Sequence, residues 1–206
     1  MMTGGKLRST IAMMILLMSA MVASAQTFSN EPERLIIGGQ AGFFRISFDG
    51  FTRIYHERSG LTTGAAGMVK VFSPYYLLVK YHHFTKDGAV IVENTVQPQH
   101  WREDWYNLGV RYLARDARKV SSYFGFGFAF FTINETGNLS IFGREPGKRN
   151  ASGFFLDGGL QYRFLKHASL CLELEMTSAG VEGKSGFEGS SVGGFLIGIG
   201  ANFFIL

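Results

Sequence analysis

The stretch FGFGFAFF, Phe124–Phe131, puts a ring at every second position. Phe124, Phe126, Phe128 and Phe130 share one parity; Gly125, Gly127 and Ala129 fill the other. A strand sends successive side chains to opposite faces, so one face is aromatic and the other almost bare. A water-soluble sheet turns apolar residues to a core and polar ones to solvent. A face of glycine and alanine is a poor solvated surface. The rings are therefore expected to meet lipid, and the small residues a narrow, crowded interior.

The same alternation recurs along the chain. Leu170, Leu172, Leu174 and Met176 alternate with Cys171, Glu173, Glu175 and Thr177, and Tyr106, Leu108, Val110 and Tyr112 with Trp105, Asn107, Gly109 and Arg111. Eight segments reach the ~9–11 residues that a tilted strand needs to cross a bilayer. They are Leu35–Ser47, Leu61–Phe72, Tyr76–Thr85, Asp104–Ala114, Val120–Thr132, Ser152–Phe164, Ser169–Ser178 and Ser191–Ile205. Connections two, four and six are short, whereas Phe48–Gly60, Lys86–Glu103, Ile133–Ala151 and Ala179–Ser190 are long. Short turns at one end and long loops at the other are the pattern of an outer-membrane barrel, turns in the periplasm. The expected fold is all-β, an eight-stranded antiparallel up-and-down transmembrane β-barrel. Ten strands are the alternative, with Gly88–Thr95 forming another strand or extending a hairpin above the membrane. A soluble lipocalin-like barrel is the rival, but its water face would have to carry Gly125, Gly127, Gly194, Gly198 and Gly200.

Ahead of the strands, Lys6 and Arg8 precede an apolar run, Ile11–Val22, and a small-residue site, Ala23-Ser24-Ala25. This reads as a cleaved signal peptide over residues 1–25. A short periplasmic segment, 26–33, then leads to the barrel, 34–206. Without Lys6 and Arg8 the formal charge falls from +4 to +2, too small for a nucleic-acid surface. The single cysteine, Cys171, reads as a small strand residue.

With its leader, alternating strands, unequal connections and a last strand, Gly194–Leu206, that ends Asn202-Phe203-Phe204-Ile205-Leu206, the chain resembles the small eight-stranded outer-membrane barrels. These include the OmpA-type transmembrane domain and OmpX-like proteins. The resemblance covers residues 34–206. It implies the outer membrane of a Gram-negative bacterium and a monomer among outer-membrane lipid and lipopolysaccharide. It also implies that the barrel-assembly machinery recognises the C-terminal strand, although Leu206 stands where that family has a terminal aromatic.

Seven charged residues are assigned to the inner face: Lys70, Lys80, Arg111, Asp157, Arg163, Glu173 and Glu175. Buried charges require partners, because desolvation costs several kcal/mol per ion. In an eight-strand barrel the third strand faces the seventh, so Lys80 is expected to meet Glu173 and Glu175. Trp101, Trp105, Tyr106, Tyr112 and Tyr162 are assigned to the membrane interface, which Trp and Tyr favour.

Three clusters invite a sharper reading. His100, Glu103 and Asp104 could hold a metal, against a plain rim of aromatic and charged residues. His82 and His83 are adjacent on a strand, so they cannot chelate one ion together; His82 is given to the lumen. His167 and Ser169, with Glu173 nearby, have the spacing of the His and Ser of PagL-like lipid A deacylases. They fall at a periplasmic turn, away from lipid A. The loop Asn134–Asn150, with Arg144, Lys148 and Arg149, could contact lipopolysaccharide phosphates. No residue is assigned to catalysis, a cofactor or a metal. The expected function is non-enzymatic, structural or surface-interacting through long outer loops. A narrow channel is the alternative, and a lipid-modifying enzyme ranks third.

Overall fold

The computed structural model describes residues 34–114, 119–142, 145–181 and 191–205. Residues 1–33, read as a signal peptide and a short segment after it, and residues 115–118, 143–144, 182–190 and 206, Arg144 among them, lie outside the described residues. Nine strands form one antiparallel sheet: β1 Leu35–Ile46, β2 Ser59–Phe72, β3 Tyr75–Val92, β4 Thr95–Ala114, β5 Val120–Thr136, β6 Lys148–Leu165, β7 Ala168–Val181, β8 Ser191–Val192 and β9 Gly194–Ile205. Gly193, at φ +98°, separates β8 from β9, and the two make one barrel strand. From β1 to β7 each strand pairs with the next, β7 pairs with both β8 and β9, and β1 pairs with β9 from Leu35↔Ile205 to Ile46↔Gly194. The barrel is closed with eight strands.

Parity runs round the whole barrel. Phe126, Phe128 and Phe130 are 58%, 66% and 48% exposed on its outside, while Tyr123, Gly125, Ala129 and Phe131 are buried inside. Leu108, Leu172, Leu174, Ile197 and Ile199 continue the apolar outer belt. An apolar outside with charge inside is the arrangement of a transmembrane barrel. The glycines of FGFGFAFF make room. Gly125 is paired with Asp157 and clears its carboxylate. A β-carbon at Gly127 or Gly109 would stand 2.8 Å from the Phe155 ring.

The strands differ most from expectation above the membrane. The segment Lys86–Glu103, read as a long loop, is a continuation of β3 and β4, paired from Val92↔Thr95 down to Tyr75↔Tyr112. Its turn, Glu93-Asn94, has φ of +49° and +59°. Both central residues at positive φ give the twist that suits a two-residue hairpin. The extra strand-like segment near Gly88–Thr95 is thus a hairpin extension, and the barrel keeps eight strands. The first connection is also ordered, with a 3-10 turn Asp49–Phe51 followed by α1, Thr52–Tyr55.

Candidate functional site

The lumen is built in layers. At mid-barrel, β3 and β4 supply cations and β6 and β7 carboxylates. Lys80 Nζ lies 2.8 Å from Asp157 Oδ2 and 2.6 Å from Glu173 Oε1, and also pairs with Glu175. Arg111 donates to Asp157, and to Glu173 Oε2 at 2.8 Å. Its guanidinium stands 4.2 Å from the centre of the Tyr123 ring, whose hydroxyl donates to Glu173 at 3.1 Å. Glu175 Oε1 accepts from Asn107 Nδ2 at 2.8 Å and Trp105 Nε1 at 3.3 Å. His82 Nε2 is 3.4 Å from Glu175 Oε2, and Gln40 touches its Nδ1 side at 3.3 Å. Every ion in this cluster is buried. Desolvated ions persist only when partners and donors surround them, and these are tied into one network.

The structure therefore gathers five of the seven residues assigned to the inner face. Lys70 and Arg163 are half-buried near the turn end and stand outside the cluster; Arg163 lies 4.5 Å over the Phe204 ring. Oxygens of Asp157, Glu173 and Glu175 approach within 4.8 Å of one another, close enough to share an ion. The Lys80 ammonium sits among them as the counter-charge.

Above the ions lies a layer of rings. His82 stacks on Trp105 with centroids 4.6 Å apart, Phe44 contacts Trp105 and Phe84, and Trp105 continues to Phe131. A second aromatic layer closes the loop end. Phe51 and Tyr55, from the first connection, stack at 4.4 Å and meet Trp101 edge-on, with Phe142 from the connection after β5 alongside. Beside this cap Glu135 accepts from Ser140 and from the Ile141 amide at 3.1 Å. Between the cap and the hairpin, an open recess of about 470 Å³ is lined by Phe48, Arg53, Ile54, Val90, Leu139 and Ile141.

Trp101 and Trp105 require a correction: both are completely buried in the lumen, not at the membrane interface. Trp105 has the parity of Asn107 and Arg111, and both indoles find buried carboxylates, Glu103 for Trp101 and Glu175 for Trp105. Tyr106 and Tyr162 are on the outside, and Tyr112 is half-buried against Tyr75. The same parity divides the run His100–Trp105. His100 and Asp104 lie on the outer side, where they bond Asp87 and His83, and Glu103 lies within the barrel. These three do not converge on a metal. Nor does a hydroxyl–imidazole pair form at His167 and Ser169: His167 is exposed in the turn and Ser169 is buried on the lumen side.

Parity could have placed Trp105, Asn107 and Tyr123 in the network. The cap had a weaker signal: Phe48, Phe51 and Tyr55 recur at intervals of three and four. Small size hid it, because one helical turn is below the length at which periodicity speaks.

A closed barrel of eight antiparallel strands, apolar outside and ion-paired within, has the fold of the small outer-membrane β-barrels. Among solved structures the chain is similar to Neisserial surface protein A (NspA), with a TM-score of 0.55 and 11% identity over 83% of this chain and 97% of that one. It is also similar to the N-terminal β-barrel domain of Pseudomonas aeruginosa OprF, with a TM-score of 0.51 and 14% identity over 84% and 98%. No family model and no curated protein matches the chain.

Proposed function

We propose that this is a non-enzymatic protein of the Gram-negative outer membrane, with a structural or surface-interaction role carried by its loop end. The observation that carries this reading is the filled lumen. A desolvated ion network and two layers of rings lie across the path that a solute would take. An eight-strand interior is just wide enough for side chains to fill. Among the described residues, the elaborated parts stand at the other possible place of work, the outer rim: the hairpin, the aromatic cap and its recess. Exposed Ile91 and Val96 near the hairpin tip are side chains that folding alone does not require there.

Planar-bilayer recording of the purified protein, beside Lys80→Ala, tests this. The folded protein should give no steady openings. Steady openings whose size changes in Lys80→Ala would transfer the function to a channel.

A further inference from the structure

Three rows of outward side chains cross β4, β5 and β6 at the loop end of the lipid belt. The lowest carries two rings and a serine, Tyr106↔Phe130↔Ser152; the next is polar, Asp104↔Thr132↔Asn150; the highest is cationic at its ends, Arg102↔Asn134↔Lys148. Between the lower two rows is a recess of about 250 Å³, lined by Tyr106, Phe130, Thr132, Asn150 and Ser152. Below it the surface continues as Leu108, Phe128 and Phe154, all exposed.

We propose that this face holds a phosphorylated glycolipid of the outer leaflet, its phosphate between Arg102 and Lys148 and its acyl chain on the ring-lined belt below. The two cations stand two strands apart, about 10 Å, a gap that long side chains can close on one anion above Asn134. Arg102 is already oriented: its Nε donates to Asp104 Oδ2 at 2.7 Å, while its side chain remains 51% exposed. The guanidinium, which also neighbours the Tyr81 side chain, stays exposed enough for its terminal nitrogens to fork onto a phosphate. Asp104 does not oppose the anion as a bare charge. It also accepts from the Tyr81 hydroxyl at 2.8 Å and contacts His83 Nδ1 at 2.7 Å. Asn134, Asn150 and Thr132 add neutral donors where a sugar would sit. A soluble anion would need only the top row; the recess and rings below it are what a lipid adds. This inference rests on the membrane placement and not on the surface-interaction role.

The test uses the whole folded protein in detergent, with native mass spectrometry counting retained lipid A. The wild type should hold one lipid A, and the dephosphorylated lipid should bind at least tenfold less. Arg102→Gln/Lys148→Gln should lose affinity roughly 30-fold, the effect of removing two interfacial cations. Lys166→Gln, at the opposite end of the barrel, should bind as the wild type does. Unboiled electrophoresis checks that each variant is folded. Equal retention by the double variant, or of the phosphate-free lipid, overturns the proposal. Displacement by millimolar inorganic phosphate also overturns it, in favour of a soluble-anion site.

Discussion

Lys80 is the side chain on which the lumen depends most. It faces Asp157, Glu173 and Glu175 at once. Removing one partner from a buried ionic group leaves charge uncompensated, at a cost of about 3–5 kcal/mol. Lys80→Met should therefore lower the urea midpoint for loss of the folded band on unboiled gels. Adding Glu175→Gln to Lys80→Met should recover part of that loss, because it removes one of the orphaned charges. On the other face, Phe128 is exposed in the middle of the apolar belt. Phe128→Arg should cost roughly 2–4 kcal/mol in lipid vesicles, and little in a detergent that lets the side chain reach water. The contrast between the two media identifies which face meets lipid.

Among the elements, the β3–β4 hairpin and the cap stand beyond the lipid belt, at the loop end of the barrel. Asn94 sits at φ +59°, where a β-branched residue is strained by about 1–2 kcal/mol. Asn94→Val should speed hydrogen exchange near the hairpin tip and leave the barrel's urea midpoint unchanged. Glu135→Ala should speed exchange of the Ile141 amide roughly tenfold, by removing a hydrogen bond worth about 1–1.5 kcal/mol. How much of these elements was legible follows from what enforces them. Belt strands such as β7 read cleanly, because lipid outside and ions inside demand strict alternation from Leu170 to Met176. Above the membrane polar residues stand on both faces, Gln99 and Glu103 buried inside and His100 and Arg102 exposed outside, so Lys86–Glu103 shows no apolar alternation and resembles a loop, although its backbone pairing continues. The charged partners of the lumen were visible from parity and from the opposition of β3 and β7. Trp101 and Trp105 are harder to read, because tryptophan's preference for the membrane interface competes with the parity that Trp105 shares with Arg111. A buried indole with a carboxylate partner satisfies both its ring and its N–H.

At the scale of the whole molecule, the ion network joins only some of the strands. β3, β4, β6 and β7 supply its charges. Opposite them, β1, β2 and β9 present Gly38, Gly42, Gly64, Ala66, Gly198 and Gly200 to the mid-lumen. The two halves fit, since long side chains need empty space in front of them. The β1–β9 seam, where Gly42 meets Gly198 and Gln40 meets Gly200, is then held mainly by backbone hydrogen bonds. A tube braced along one flank and plain along the other does not yield evenly. Pulled or squeezed by its surroundings, it should flex as a clasp does, around a stiff back and toward the seam where the first strand meets the last.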